Sequence, residues 1–470
     1  MPTLLPRAAP ATAGMSSRAV AALLDKIEAL GVECHSLMVV RRGHVVAEGW
    51  WAPYSAERPH LLYSVTKSFT SVAVGLAIAD GLLSLDDRVV DVLPDHVPPG
   101  ISAQGRRLTV HHLLSMTTGH RVDSLAEAWQ REPDDLVKGF LSVPFPDFDK
   151  TLHGYDNPTT FVLARMVERV TGRGLPEFLD ERLFHPMGIE HAEWDRVANG
   201  AAFGFHGLHL TTEALAAFGE VLLRDGGWGD RQLVPRTYVN LATRKHTATR
   251  PIEGGPADGD YLRGYGYQFW MSRHGFHADG SFGQLCVVVP SHDLVIAVTG
   301  AHTQAQALLD AIWECLLPGV DDTGSTRDDE VLAERLRGLS LVMVPGAAGR
   351  SVTARLDGTA EDAPLPDGTT VIVDPADGGW RLTLGELTVN IGHGTWRESA
   401  PLGRPIVAAG AWQGDMFVAD LYVITTPHRV RLTVDSATGK AVATWNITPL
   451  TGPGMLRQLR SPLMTRPDVA

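Results

Sequence analysis

The sequence predicts an α/β protein: a sheet built from strands at both ends of the first two thirds of the chain, a largely helical middle, and a separate all-β domain at the C-terminus. Three observations predict it. Two β-rich runs, His35–Val40 and Val45–Trp50, precede the helical segments, and three more, Phe276–Gly283, Gln284–Val289 and Leu294–Gly300, follow them. Beyond Arg335 the pattern changes to short alternating strands. With 470 residues the chain exceeds what one hydrophobic core usually serves, so two domains are expected: 1–320, a linker over 321–334, and a small β-sandwich or barrel over 335–470.

Each element has its own signal. Ser16 and Ser17 precede an amphipathic helix over Arg18–Leu30, ended by Gly31. Arg41-Arg42-Gly43-His44 is a glycine-bearing turn joining the first two strands into a hairpin. Val65–Ala79 is almost uncharged after Lys67 and stops at Asp80-Gly81, as a buried helix with a glycine past its end would; at roughly 15 residues it is short for a membrane span of about 20. Leu82–Leu93 reads as a surface connection, and Thr109 caps a short helix over Val110–Met116 closed by Gly119. Leu125–Leu141 has a charged helical pattern, Phe161–Val170 is a helix ended by Thr171-Gly172, and Thr211-Thr212-Glu213 opens another over Ala214–Arg224. Asp195–His206 reads as loop. Pro290-Ser291-His292-Asp293 is turn chemistry between strands, and Gln304–Leu317 is a helix that packs over the sheet. In the last domain Val430, Leu432 and Val434 share one face of a hairpin closed by Ser436-Ala437-Thr438-Gly439.

Composition excludes several classes. A net charge of -13 argues against a nucleic-acid surface, which relies on clustered Lys and Arg. Cys34, Cys286 and Cys315 make no disulfide framework and sit in apolar contexts. Met1–Gly14 lacks the apolar core of a signal peptide, so the expectation is a cytoplasmic protein without a membrane partner. There is no Gly-x-Ser-x-Gly elbow, phosphate-loop lysine motif or His-Glu-x-x-His. His111 and His112 point apart on a helix, and His206 and His209 lack carboxylate or cysteine partners at ligand spacing, so neither a metal nor a cofactor is expected.

The chemistry-bearing stretch is Leu62-Tyr63-Ser64-Val65-Thr66-Lys67. Three residues apart on a helix, Ser64 and Lys67 share a face, so the amine can reach the hydroxyl and take its proton; taken alone, the same spacing also describes a helix start capped by Ser64. Two further segments add to it. Tyr155-Asp156-Asn157 stands in a proline-marked loop, and Ala278-Asp279-Gly280-Ser281-Phe282-Gly283 ends a strand. Free Lys and Tyr side chains both titrate near 10, so one of Lys67 and Tyr155 must be shifted for either to be the base, and the sequence leaves open which. Asn157 is placed to fix Lys67 and a substrate amide, and Tyr265, Tyr267 and Trp270 are candidates to line the cleft.

With these three segments in that order, the chain from about Met15 to Leu317 resembles the serine hydrolases of the class C β-lactamase, penicillin-recognising type, a family that also holds carboxypeptidases, esterases, D-aminopeptidases, nylon-oligomer hydrolases and peptide-cyclising thioesterases. Leu108–Gly119 and Gly207–Phe218 support the resemblance. It implies a β-lactamase-like antiparallel sheet flanked by helices, with a helical subdomain. It further implies an acyl-enzyme on Ser64 and an oxyanion hole from the backbone N–H groups of Ser64 and Ser281, with Gly280 and Gly283 allowing close approach of the backbone. Where the family often has Lys-Thr-Gly, this chain has Ala278-Asp279-Gly280; His277, one place earlier, is the candidate to replace the missing cation. The expected activity is a serine acyl-hydrolase acting on a small ester, amide or peptide. Transfer of the acyl group to an amine, and a sensor that acylates without turnover, are the alternatives. If Asp279 faces the cleft it should disfavour free-carboxylate substrates, whereas strand alternation could instead turn Ala278 or Ser281 inward.

Overall fold

The structure is a computed structural model that describes residues 3–146, 152–250, 259–322, 324–460 and 464–465. Its residues group into two compact units, one holding the chain up to Gly49 and Leu62–Gly338, the other Trp50–Leu61 and Leu339–Thr465.

In the first unit the two N-terminal strands, Cys34–Arg41 and His44–Trp50, join four later ones in a six-stranded sheet. The order is His44–Trp50, Cys34–Arg41, Leu294–Gly300, Gln284–Val289, Phe276–Gly280, Trp270–Met271. The first strand pairs antiparallel with Leu294–Gly300, Leu37 opposite Val298 and Val39 opposite Ile296. Because Cys34–Arg41, Gln284–Val289 and Leu294–Gly300 are buried on both faces, they read as continuous apolar runs rather than alternating ones. Thr212–Leu223 lies on this sheet: a Cβ on its Gly219 would fall 2.5 Å from Val295 and 2.8 Å from the Cys286 sulfur.

The helical middle is built around Thr66–Ala79, buried from Thr66 to Ala77, which packs against Asn157–Thr171. The charged stretch expected as one helix over Leu125–Leu141 is two, Leu125–Arg131 and Leu136–Ser142. Pro133 disfavours helical backbone at Glu132, and Asp135 restarts the helix by accepting the Lys138 amide at 3.0 Å. Most of the expected linker over 321–334 is likewise helical: Thr326–Arg337 is capped by Ser325, which accepts from the Asp328 amide, and it packs against Ser17–Ala29. Its polar composition reflects an exposed face; Leu332 and Leu336 are buried.

The second unit is a β-barrel. Nine strands form one sheet in which Val352–Asp357 pairs in parallel with Lys440–Trp445, and the extra pairing of Leu387–Gly392 with Ile406–Gln413 closes the ring, leaving Arg397–Ser399 attached outside it. Its interior is filled from alternate positions, Val352, Ala354 and Leu356 on one strand and Val430, Leu432 and Val434 on another, around Trp380 and Phe417. Trp50–Leu61 belongs to this unit: Ala52 exchanges backbone hydrogen bonds with Leu339 and Leu341, the Leu61 amide donates to the Thr425 carbonyl at 2.8 Å, and Tyr54 packs with Val407, Tyr422 and Ile424.

Candidate active site

The position of Ser64 is set by an unusual backbone. Tyr63 takes a left-handed conformation, φ 47°, which costs a non-glycine residue on the order of 1 kcal/mol or more. A single tight turn, Tyr63–Val65, then leads into the helix Thr66–Ala79. Ser64 is thus half-buried at the entrance of a helix whose next turn carries Lys67. The Lys67 ammonium donates to Ser64 Oγ at 2.8 Å and to the Phe205 carbonyl at 2.9 Å, and lies 4.8 Å from the centre of the Tyr155 ring. Burial drives its pKa down to about 7, opposed by the negative charges of Asp123, Asp279 and Asp156. The Tyr155 hydroxyl hydrogen-bonds Ser64, and burial pushes its pKa upward, so the phenol keeps its proton.

The second motif is anchored by residues the sequence did not single out. Asp156 is fully buried, accepting from the Ser124 amide and hydroxyl at 2.8 Å each and facing His120 Nδ1 at 2.8 Å. This holds Tyr155 on one side and Asn157 on the other. Asn157 does not fix Lys67, contrary to expectation: its side-chain amide donates to Asp123 at 2.7 Å and its backbone N–H to the same carboxylate at 3.0 Å. At the first position of Asn157–Thr171 the residue serves the helix start, and the Phe205 carbonyl takes the lysine hydrogen bond instead.

The third motif closes the site from the sheet. Gly280 ends the strand Phe276–Gly280 so near the chain entering the Ser64 turn that a Cβ there would sit 2.2 Å from the Leu62 carbonyl oxygen. Ser281, half-buried, begins the turn, Phe282 has φ 70° and Gly283 φ 94°. The Gln284 amide clamps this turn by donating to the carbonyls of Ser281, Phe282 and Gly300, and Phe282 meets Tyr63 edge to face at 5.2 Å. Alternation along the strand places Asp279 and His277 on the face toward Tyr261, while Ala278 pairs with Cys286. Tyr261 donates to Asp279 at 2.9 Å; burial lifts that carboxyl to about 6, against the lowering effects of this hydrogen bond and Lys67.

Several expected residues have other duties. His277 is no replacement cation: it is fully buried, bonded through Nδ1 to the Ser272 hydroxyl at 2.6 Å, and desolvation lowers its pKa to about 4. Trp270 stacks on Tyr155 at 5.9 Å and Tyr265 packs with both, so these two back the Tyr155 phenol. Tyr267 turns away to His111, 2.7 Å from its Nδ1, and stacks on His246. His209 does have carboxylate neighbours: strand pairing sets Glu193 opposite it, Asp195 Oδ2 lies 3.2 Å from its Nε2, and ligand atoms of all three fall within 4.8 Å of one another. Sequence spacing alone could not bring residues 193 and 209 together; a strand pairing does.

Cys34, Cys286 and Cys315 are free thiols, and among the described residues no helix is long and apolar enough to cross a membrane.

Comparison with known proteins agrees with this geometry. The family model described as Beta-lactamase matches residues 17–312. A lovastatin esterase from Penicillium rubens is 29% identical over 28% of this chain, a match spanning only 39% of that protein. A 6-aminohexanoate-dimer hydrolase from Paenarthrobacter ureafaciens is 26% identical over 56% of this chain and 71% of its own. The solved structure of EstCE1, a hydrolase with promiscuous acyltransferase activity, shares the fold with a TM-score of 0.51 at 16% identity, covering 63% of this chain and 97% of that one. With a family match that takes in the Ser64 turn, the tyrosine loop and the glycine-bearing strand end, the chain belongs to the beta-lactamase family of penicillin-binding-protein-like serine hydrolases.

Proposed function

We propose that the protein is a serine acyl-hydrolase for esters or amides in which Ser64 forms an acyl-enzyme. The observation that carries this reading is the buried Lys67 amine, bonded to Ser64 at 2.8 Å with its pKa lowered to about 7. An amine that is neutral near pH 7 can take the Ser64 proton as Oγ bonds to the substrate carbonyl carbon. Tyr155, held protonated by burial, supports the role of proton donor to the leaving group. The negative oxygen would be met by the N–H groups of Ser64 and Ser281, which the close approach of Gly280 to Leu62 supports. The proton gained by Lys67 then passes to the Tyr155 phenolate, which restores the neutral amine; in deacylation Lys67 takes a proton from water as its oxygen bonds to the acyl carbon, and Ser64 Oγ leaves with that proton.

Asp279 shapes the choice of substrate. Two like charges about 4 Å apart repel by roughly 4 kcal/mol at an effective dielectric of about 20. An ionised Asp279 on the cleft face therefore favours substrates without a free carboxylate there, and a β-lactam such as nitrocefin should be a poor substrate beside a neutral ester. Transfer to an amine is a second reading; the promiscuous acyltransferase activity in the printed description of EstCE1 favours testing it, by adding amine acceptors and measuring amide product. The primary test is fluorophosphonate labelling with mass-spectrometric mapping, followed by turnover of p-nitrophenyl esters, D-amino acid amides and a chromogenic cephalosporin. Label on Ser64 with multiple turnovers of an ester supports the reading. Absence of both overturns it, and one equivalent of product without turnover would identify a sensor.

A further inference from the structure

The carboxylates around the nucleophile are not equally engaged. Asp156 is consumed by His120 and Ser124, and Asp123 by Asn157. Asp279 is partly open, and among the described residues its hydrogen-bond partner is one neutral phenol, that of Tyr261, which reaches a single carboxylate oxygen. The cation within electrostatic reach of Asp279 is Lys67, and Lys67 must be neutral to act as base. With Lys67 neutral in the working enzyme, no cation among the described residues is left to offset Asp279. A carboxylate oxygen left open beside a reacting centre favours a ligand that brings both a hydrogen-bond donor and a positive charge.

Resting on the acyl-enzyme reading, we propose that Asp279 is a recognition site for a substrate ammonium group, so that the preferred substrates are esters or amides whose acyl part carries a free amine. Strand alternation already aims Asp279 to the Tyr261 side, and its neighbour Gly280 lies against Leu62, two residues before the nucleophile, so amine and scissile carbonyl are read by adjacent parts of one strand end. Tyr261 holds one oxygen and so orients the other.

The test uses the full chain and p-nitrophenyl esters of matched acyl chains, two to six carbons long, ending in ammonium, methyl or carboxylate. For at least one chain length kcat/KM should favour ammonium over methyl by about 10- to 100-fold, the range of a charge-assisted hydrogen bond. D279N should remove that preference, whereas Y261F, which keeps the charge but loses the orienting hydrogen bond, should reduce it without abolishing it. Fluorophosphonate labelling of Ser64 in D279N checks that the variant is folded. As a measurement independent of any variant, an alkylammonium should protect wild-type Ser64 from labelling at concentrations at least about tenfold below those needed with the matched alcohol. If Ser64 labels and neutral esters turn over but ammonium brings no advantage at any length, the recognition site is refuted while the hydrolase reading stands. If Ser64 does not label and no ester turns over, both fall.

Discussion

Ser64 is hydrogen-bonded to both Lys67 and Tyr155, and on the proposed mechanism the three work as one unit, which their variants should show. Ser64→Ala is expected to abolish acylation and leave the fold intact, since the caps of the tight turn and of the helix are Leu62 and Val65 rather than Ser64; circular dichroism and labelling check the two halves. Lys67→Ala and Tyr155→Phe should each cost several orders of magnitude in kcat/KM, and the double variant little more than the worse single one. Additive losses would separate their roles. The pH profile follows from Lys67: burial places its pKa near 7, the neutral form is the base, and the rate must rise as the proton leaves. For a neutral ester kcat/KM is expected to climb about tenfold between pH 6 and pH 8 and then level. A falling profile over that range would exclude Lys67 as base.

At the scale of an element, the turn Asp260–Leu262, which presents Tyr261 to Asp279, depends on a buried carboxylate. Burial alone would raise the Asp260 pKa, but the Arg273 side chain and amide, Gln306 and Trp313 outweigh it and hold it well below the usual carboxylate range. A carboxyl whose folded pKa lies below its unfolded value, about 3.9, contributes stability that is present above about pH 4 and lost as pH falls through the folded value. Asp260→Ala leaves the Trp313 and Gln306 donors without this acceptor and should cost about 3 kcal/mol, read as a lowered urea midpoint at pH 7. The difference from wild type should shrink in acid. An unchanged midpoint would mean that this network is not what holds the turn.

At the scale of the whole molecule, the barrel unit takes in a segment from far upstream. Residues 50–61 have their hydrogen-bond and packing partners at Leu339, Leu341, Val407, Tyr422 and Thr425, and they run directly into the turn that carries Ser64. The sequence alone, which shows no catalytic motif in the last domain, suggests that a cut after Gly319 leaves small-ester activity measurable. With these partners in view, that truncation should instead leave Trp50–Leu61 without its strand neighbours and lower both the melting temperature and the labelling of Ser64. Full labelling and unchanged melting of the truncated chain would show that the segment holds its course unaided.

The sequence by itself determined the motif residues, the strands at both ends of the first unit with the buried helix between them, and the all-β character of the last domain, because these rest on local spacing: Ser64 and Lys67 three apart on a helix, alternating Val430, Leu432 and Val434, a glycine after a helix. Only the tertiary structure decided what depends on partners far along the chain. That Lys67 is the low-pKa amine follows from its burial; that Asn157 serves Asp123 and His277 serves Ser272 follows from which side chains arrive beside them. The closure of the barrel through Gly392 and Ala409, the nearness of Glu193, Asp195 and His209, and the direction of Asp279 were set in the same way, by strand pairing and pleat rather than by any pattern along the sequence.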